Sequence, residues 1–287
     1  MRKADRKILK KIYKSRPKTA KKYDAGILLV IGGSEFYSGS LAFAALAAFR
    51  AGVDMVNVIA PKRAADIIAS FAPDMAAYPL AGKYLGKKHL STLLSFSKSA
   101  ETVSSNRSAA VIGGGAGRSK ETQKTIIEYL KSISMPAVID ADAIHAVAQD
   151  LEVIANKPFL ITPHSHEFYI LTGKEVEGFS VKEKADIVRK EAGRLKTTIL
   201  LKGGTDIMSD GKEVYFSKVG SSSMTVGGTG DVLAGIAGAL LARKISPLEA
   251  AASAALINGL AGQVGEKAFG QSLMASDLLD IIPQVIK

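Results

Sequence analysis

The chain contains no cysteine among its 287 residues. Disulfide bonds, thiolate metal sites and thiol nucleophiles are therefore excluded, which fits a protein of the reducing cytoplasm. No apolar run reaches the roughly 18 residues that a membrane-spanning helix requires, so we expect no transmembrane segment. The N-terminus is basic but has no apolar segment behind its charges, and we therefore expect no secretory signal.

Acidic residues are scarce at the N-terminus, and this accounts for most of the net charge of +11. Residues 1–22 contain eleven Lys or Arg and a single Asp, so the rest of the chain is close to neutral. We predict a basic arm over residues 1–20 and one domain over residues 21–287. Because Leu9, Ile12 and Tyr13 have helical spacing, the arm is either a solvated or packed helix or an element that binds an acidic partner. Without aromatic interleaving, nucleic-acid binding is not favoured.

Short apolar runs recur along the chain, and most of them end in glycine, aspartate or histidine. Helical patterns separate them, at a spacing of roughly 25 to 30 residues, which predicts an α/β fold with a mostly parallel sheet covered on both faces. Asp210-Gly211 between two further runs predicts a two-residue hairpin. The predicted strands are Ile27–Ile31, Met55–Ala60, Ala109–Ile112, Ala137–Ile139, Phe159–Ile161, Thr198–Leu201, Asp206–Ser209 and Glu213–Ser217. In such sheets ligands bind beyond the carboxyl ends of the strands, where these polar residues converge.

The most informative motif is Gly227-Gly228-Thr229-Gly230-Asp231, which opens a long apolar helix. Unpaired amides and the positive end of the helix dipole make such a helix start an anion site, suited to phosphate. Asp231 at the same place could accept a proton from a substrate hydroxyl. The alternative interpretation is an aspartate N-cap behind a flexible loop, although a cap does not need three glycines.

Glycines and acids also follow the earlier strands. Gly32-Gly33-Ser34 and Gly113–Gly117 could lie against a ligand or form ordinary turns, and neither completes a dinucleotide-binding fingerprint. Asp140 and Asp142 could hold Mg²⁺ through water. Alternatively, Asp142 caps the helix that follows.

Basic and histidine side chains follow the later strands. His164, His166 and Glu167 form a weak zinc pattern, and contact of His164 with a substrate is favoured over metal binding. Lys202, at a strand end, could line a nucleotide phosphate or ribose, or could extend into solvent. The Gly220–Ser223 loop before Thr225 could close over a nucleotide or be an ordinary loop.

Taken in order, these motifs resemble the ADP/ATP-dependent NAD(P)H-hydrate dehydratases of the ribokinase-like superfamily. The resemblance covers about residues 21–286 and depends on the order and spacing of seven motifs. They are Lys21–Gly26 with Ile31–Ser34, Tyr37–Ser40 with Phe49–Gly52, Gly113–Arg118, Asp140–Ala143, Thr162–Phe168, Lys202–Ile207 and Gly227–Asp231. The resemblance implies a ribokinase-like three-layer fold in which residues 21–287 form the catalytic domain.

The resemblance also implies repair of NADH or NADPH whose nicotinamide ring has been hydrated. The hydroxyl at C6 would be phosphorylated from ADP or ATP with Mg²⁺ present, and loss of phosphate would then re-form the ring double bond. Asp231 matches the residue that takes the hydroxyl proton, and the amides of Gly228, Thr229 and Gly230 match the group that stabilises the transferring phosphoryl. Residues matched to the nucleotide site are Lys202, Gly203, Gly204, Thr205, Asp206, Thr225, Gly227 and Gly230. Residues matched to the substrate site are Ser40, Gly117, His164 and Asp231.

The chain departs from the family at several positions. The family usually has Ala at Ser40 and Asn at His145, and Gly114 stands where Pro is expected. Between Thr162 and Glu167 a Pro-Gly turn is lost. Many relatives carry an epimerase domain for which this chain has no room, so we expect any epimerase to be a separate protein.

Two other functions remain open at this stage. One is a kinase of the same superfamily acting on a vitamin-precursor alcohol, which would use the same base and anion site. The other is a non-catalytic nucleotide-binding or basic-arm module. By analogy with similar proteins we expect a homotetramer, which helices rich in Ala and Gly would allow.

Overall fold

The computed structural model describes residues 1–287 and contains one ten-stranded sheet in the order β1-β10-β9-β8-β7-β6-β5-β2-β3-β4. The strands are β1 (Arg2–Lys3), β2 (Ile27–Ile31), β3 (Met55–Pro61), β4 (Ala76–Leu80), β5 (Ser108–Ile112), β6 (Ala137–Ile139), β7 (Phe159–Ile161), β8 (Thr198–Leu201), β9 (Asp206–Ser209) and β10 (Val214–Ser217). All neighbouring strands are parallel except that β9 runs antiparallel to β8 and β10. The predicted α/β fold with a mostly parallel sheet is confirmed.

Helices cover both faces of the sheet. They are α1 (Arg6–Ile12), α2 (Gly39–Arg50), α3 (Lys62–Ala69), α4 (Leu90–Val103), α5 (Lys120–Ser132), α6 (Asp142–Val147), α7 (Ser165–Thr172), α8 (Val181–Leu195), α9 (Thr229–Ala242), α10 (Pro247–Phe269) and α11 (Ala275–Ile286). Alternate residues of each strand point to opposite faces. In β2, Leu28 and Val30 pack towards α2, α9 and α10, whereas Leu29 packs towards the layer that contains α5 and α8. Burial on both faces explains why the central strands are continuous apolar runs.

The close approach of α9 to its neighbours depends on glycine. A Cβ at Gly235 would lie 2.1 Å from the backbone oxygen of Ala44 in α2. A Cβ at Gly238 would lie 2.5 Å from the side chain of Val111 in β5. The small residues therefore hold α9 against the sheet, and its N-terminal end is fixed at the carboxyl edge of the strands.

The N-terminal residues pack on the domain. Strand β1 extends the sheet beside β10, and Leu9 in α1 is buried in the core. Tyr13 lies beneath the guanidinium of Arg243, 4.6 Å from the ring centroid, and donates to the backbone oxygen of Ala51. The packed-helix interpretation of this segment therefore describes its structure, while the domain boundary at residue 20 stays a prediction.

Sequence reasoning missed β1, β4, α4, α7 and α8. Strand β4 contains Pro79 and lies at the edge of the sheet, the place where a strand tolerates proline. Helix α8 did carry a signal, because a Ser180–Glu183 capping box precedes residues buried at helical spacing. None of the helices combines the length and hydropathy that a bilayer-spanning segment requires.

Candidate active site

Two cavities lie side by side at the carboxyl edge of the sheet. The first, of about 550 Å³, we call the aromatic cavity; it is lined by Ser34, Phe36, Tyr37, Ser40, Tyr84, Gly115, Gly117, Asp140, Ala141, Asp142, Lys202, Gly228, Gly230 and Asp231. The second, of about 710 Å³, we call the glycine–serine cavity; its lining includes His164, Lys202, Gly203, Gly204, Asp206, Lys218, Gly220, Ser221, Ser222, Thr225, Thr229, Gly230 and Asn258. Lys202 and Gly230 line both, so the two cavities meet at these residues.

The start of α9 lies at this junction. Gly228 is the N-cap residue with φ +101°, and a Cβ there would lie 2.7 Å from the ring of Phe43. The first amide bonded within the turn is that of Val232, which donates to the Gly228 oxygen. The preceding amides, from Thr229 to Asp231, have no partner inside the helix and carry its positive dipole end. Free amides at this helix start are what the predicted anion site requires, and anion binding there stays a prediction.

A hydroxyl ties the loop before α9 in place. Thr229 Oγ1 donates to the backbone oxygen of Met224 at 3.0 Å and lies 3.2 Å from that of Val226. Its side chain therefore holds the glycine turn closed against the preceding loop. Thr229 therefore has two roles: its side chain holds the loop, and its backbone amide is one of the free donors at the start of α9.

Asp231 faces the aromatic cavity from the first turn of α9. Burial raises its pKa to about 7, and the negative charge of Asp140 acts in the same direction. A hydrogen bond with Ser40 and the positive charge of Lys202 lower the pKa, but by less. A carboxylate with a pKa near neutrality is suited to general base catalysis, because it is ionised at working pH yet still basic.

Lys202 is held in a network of charges beyond the end of β8. Its Nζ lies 2.9 Å from Asp140 Oδ1 and 3.8 Å from Glu167 Oε2. Thr162 Oγ1 donates to the same Asp140 oxygen at 2.7 Å. Burial by itself lowers the pKa of Lys202, but the charges of Asp140 and Glu167 outweigh it and raise the pKa above its ordinary value. The alternative of a lysine extending into solvent is therefore wrong, and a fixed cation lies between the cavities.

Asp142 does not cap its helix, so that interpretation was wrong. The N-cap position of α6 is Ala141, with φ +49°, and Asp142 lies in the first turn. Its Oδ2 accepts from the Gly117 amide at 2.9 Å, and its Oδ1 pairs with Arg118 at 2.7 Å. Asp142 therefore holds the glycine loop after β5 in place.

These contacts also bear on the predicted magnesium site. The oxygens of Asp142 and Asp140 Oδ1 already accept hydrogen bonds from protein groups. No group of three or more His, Asp or Glu side chains is arranged to hold a metal ion. The two aspartates therefore form no direct three-ligand site, and the water-mediated Mg²⁺ site at Asp140 and Asp142 stays a prediction.

His164 lies on the glycine–serine side rather than in the aromatic cavity. It is the N-cap of α7: its Nδ1 accepts from the amides of His166 and Glu167 at 3.2 and 3.4 Å. Glu167 Oε2 in turn accepts from the His164 amide at 2.9 Å. This capping box fixes the loop in which the family's Pro-Gly turn is lost. The disfavoured zinc interpretation gains no third ligand here.

The remaining predicted nucleotide residues divide into two groups. Asp206 lines the glycine–serine cavity, accepts from the Gly203 amide at 3.0 Å, and has a pKa raised to about 7 by burial. Gly204 and Thr225 line the same cavity, whereas Thr205 and Gly227 lie outside its lining. The nucleotide assignments as a set stay predictions.

Several lining residues were not singled out from the sequence, and four of them carry aromatic, charged or amide side chains. Phe36 and Tyr84 line the aromatic cavity, and Lys218 and Asn258 line the other. Asn258 is buried and donates to the Thr229 oxygen, but its Oδ1 has no partner in the protein. Adjacent aromatics at Phe36 and Tyr37 beside a glycine turn were an available signal. Tyr84 and Asn258 had none, because the loop and helix that carry them reach the site only through the fold.

The chain is similar to known proteins along most of its length. The Carb_kinase family, described as NAD(P)H-hydrate dehydratase, matches residues 28–284. The chain is 38% identical over 280 residues to the ADP-dependent (S)-NAD(P)H-hydrate dehydratase of Cenarchaeum symbiosum, covering 97% of this chain and 94% of that protein. The chain belongs to the NAD(P)H-hydrate dehydratase family. The family resemblance seen in the sequence is confirmed.

Two further matches set the limits of the comparison. The chain is 42% identical over 275 residues to the bifunctional NAD(P)H-hydrate repair enzyme Nnr of Pyrobaculum aerophilum. That match covers 95% of this chain but 53% of the relative, so the chain spans about half the length of the bifunctional protein. A Bacillus subtilis ADP/ATP-dependent NAD(P)H-hydrate dehydratase, co-crystallised with ATP/Mg²⁺, superposes with a TM-score of 0.79 at 20% identity. It covers 99% of this chain and 97% of that structure, and it shows a shared fold.

Proposed function

We propose that the protein repairs hydrated NADH and NADPH by nucleotide-dependent dehydration. The observation that carries this proposal is the meeting of two cavities at Lys202 and Gly230, with the carboxylate of Asp231 on the aromatic side. A phosphoryl donor in one cavity and a hydroxyl acceptor in the other would face each other across the start of α9. Membership of the dehydratase family supports the same assignment.

The acceptor step uses the base in the aromatic cavity. Asp231 takes the proton of the C6 hydroxyl while the hydroxyl oxygen attacks the terminal phosphorus of the nucleotide. The new O–P bond forms as the bond to the leaving phosphate of ADP or ATP breaks, which leaves AMP or ADP. Loss of phosphate from C6 and of a proton from C5 then re-forms the ring double bond. Ser40 lines the cavity beside Asp231 and lowers its pKa, and it would orient the carboxylate.

Charge on the transferring group is met by fixed dipoles and one cation. The amides at the start of α9 have no helical partner, and Lys202 is anchored by Asp140 on the opposite side. Groups that are already oriented stabilise developing negative charge without reorganisation. The protein therefore supplies mainly position and electrostatics, as phosphoryl transfer requires.

The glycine–serine cavity is the proposed nucleotide site. Its backbone-rich lining suits phosphates and ribose. We propose ADP or ATP as the donor, on the precedent of the relatives' names. We propose that Mg²⁺ accompanies the nucleotide phosphates, with Asp140 and Asp142, in the lining of the neighbouring aromatic cavity, close enough to contact its waters.

A direct assay tests the activity and the donor together. Hydrated NADH, the protein and Mg²⁺ are mixed with ADP or ATP in separate cuvettes, and absorbance is followed at the reduced-nicotinamide band. A nucleotide-dependent rise is expected, and the faster donor identifies the preferred nucleotide. No rise with either nucleotide from folded protein would overturn the proposal in favour of the vitamin-precursor kinase, to be followed by a screen of small alcohols.

Assembly and partners are proposals as well. We propose a homotetramer in the cytoplasm that works together with an epimerase activity. Size-exclusion chromatography with light scattering tests the tetramer. Epimerase dependence is tested by supplying the two C6 epimers separately: turnover of one epimer alone is expected, and equal turnover of both would remove the need for a partner.

A further inference from the structure

We propose that Tyr84 and Phe36, at the rim of the aromatic cavity, stack on the adenine base of the dinucleotide substrate. They would thereby select the whole dinucleotide over its nicotinamide half. This inference rests on the proposed function, because it assigns the far end of the same substrate.

The glycine loop after β5 gives the order of groups along the cavity. A Cβ at Gly114 would lie 3.2 Å from Asp231 Oδ1, whereas a Cβ at Gly117, three residues further on, would lie 3.5 Å from the Tyr84 ring. The reacting ring of the substrate must lie at Asp231. Tyr84, at the other end of this glycine loop, would meet a part of the substrate beyond that ring.

Tyr37 fills the position between these two ends. A Cβ at Gly115 would lie 3.0 Å from its ring, so the tyrosine packs directly on the glycine loop. Phe36 lies next to it, with ring centroids 6.3 Å apart. Aromatic side chains thus line the cavity wall along the glycine loop, between Asp231 and Tyr84.

The two rim side chains are exposed. The accessible fraction is 85% for Phe36 and 48% for Tyr84, although both line a cavity. A flat aromatic base can cover these faces, and base–aromatic stacking is favourable because it buries apolar area without requiring hydrogen bonds. The dinucleotide has one such aromatic base besides its hydrated ring, which is adenine.

The loop that carries Tyr84 is held in shape by a buried histidine. The Gly86 amide donates to His89 Nδ1 at 3.1 Å, so the ring hydrogen lies on Nε2, which donates to the Ala81 oxygen at 2.9 Å. His89 therefore bridges the two ends of this loop. Tyr84 needs little further ordering when a base stacks on it, which favours binding.

A second set of contacts joins the Tyr84 loop to the Phe36 loop. The Glu35 amide donates to the Lys83 oxygen at 2.7 Å, and the side chains of the same two residues form an ion pair at 2.9 Å. The neighbours of both rim aromatics are thus bonded to each other. The two rings are presented as one surface rather than on independent loops.

The test compares two hydrated substrates, NADH and reduced nicotinamide mononucleotide, which lacks the adenosine half. Tyr84→Ala and Phe36→Ala are each expected to raise KM for the dinucleotide about tenfold while leaving kcat and the KM for the mononucleotide unchanged. Tyr84→Phe, which keeps the ring, should restore the wild-type KM. Tyr169→Ala and Phe179→Ala remove exposed aromatics outside the cavity and serve as matched controls.

An equal rise in KM for both substrates, or no rise for either, would overturn the inference. Fluorescence titration with NADH separates it from the proposed function, because it needs no turnover. If the wild type dehydrates neither substrate but Tyr84→Ala weakens NADH binding about tenfold, the proposed function fails and the stacking inference stands. If the wild type dehydrates neither substrate and Tyr84→Ala binds NADH as tightly as the wild type, both the proposed function and the stacking inference fail.

Discussion

The two cavities that meet at Lys202 are built from different parts of the chain. The aromatic cavity is lined largely by side chains, among them three aromatic rings and three aspartates. The glycine–serine cavity is lined by glycines and serines around a few charged groups, so much of its surface is backbone. Side chains can hold a proton or read a base, whereas backbone amides bind phosphate whatever residue carries them. We therefore expect substitutions to affect chemistry on the aromatic side and nucleotide binding on the other.

The largest expected effect is at Asp231. Asp231→Ala removes the base and should lower kcat by at least ~10², with the Kd for the nucleotide nearly unchanged. Steady-state kinetics and calorimetric titration with ADP measure the two quantities. Asp186→Ala removes a carboxylate at a distance from both cavities and is the control. Near-normal turnover by Asp231→Ala would rule out the mechanism.

Lys202 lines both cavities, so its removal should affect both the chemical step and nucleotide binding. Lys202→Met is expected to lower kcat and to raise the KM for both substrates, by about tenfold or more, because a preorganised charge is lost. It also leaves Asp140 and Glu167 unpaired, and should destabilise the fold by about 3 kcal/mol. Lys218→Met, on the glycine–serine side alone, should raise only the nucleotide KM. The same pattern from both variants would contradict the shared position of Lys202.

The pH dependence of the rate should follow the ionisation of Asp231 in the aromatic cavity. Because burial raises the pKa of Asp231 to about 7, the base is progressively protonated below neutrality. We expect kcat/KM to fall about tenfold per pH unit below about pH 7. Asp206 also has a raised pKa, but it lines the nucleotide cavity, so the profile measured with saturating nucleotide separates the two acids. A rate that is flat down to pH 5 would contradict Asp231 as the base.

The same pKa has a consequence for stability. Between about pH 4 and pH 7 the folded chain holds the Asp231 proton more tightly than the unfolded chain, so this group's contribution to stability is lost as pH rises through that range. Asp231→Asn should therefore raise Tm at about pH 8 and change it little near pH 4. Thermal denaturation at the two pH values measures this. A lower Tm at about pH 8 would mean that the ionised carboxylate stabilises the fold.

The smallest expected effect concerns the glycine turn, where two neighbouring glycines differ. Gly228 has φ +101° and its Cβ would meet Phe43 and Ala275, whereas a Cβ at Gly227 would meet nothing within 4 Å. Gly228→Ala should destabilise the fold by about 1 to 3 kcal/mol and lower kcat several-fold by moving the amides of α9. Gly227→Ala should be tolerated in both respects. Denaturant unfolding and kinetics of the pair measure the difference, and equal effects would contradict the geometry of the turn.

Much of the fold was predictable because its signals are local. A strand buried on both faces of a parallel sheet must be apolar throughout, so β2, β5 and β7 were readable from their composition. Strand β4 was not readable, because an edge strand tolerates Pro79 and polar residues. Because β4 was not predicted, the loop that follows it, which brings Tyr84 to the cavity, was not predicted either.

Within the site, the sequence alone determined the helix start with its glycines and Asp231. A glycine turn of positive φ followed by an apolar helix depends only on residues that are consecutive in the chain. Only the tertiary structure decided which groups meet across the sheet. Lys202 and Asp140 are 62 positions apart, and Asn258 reaches the nucleotide side from α10. Such pairings depend on strand order and helix packing, which have no local pattern. The same packing buries Asp231 and thereby raises its pKa, so the sequence indicated the proposed base and the fold determined its pKa.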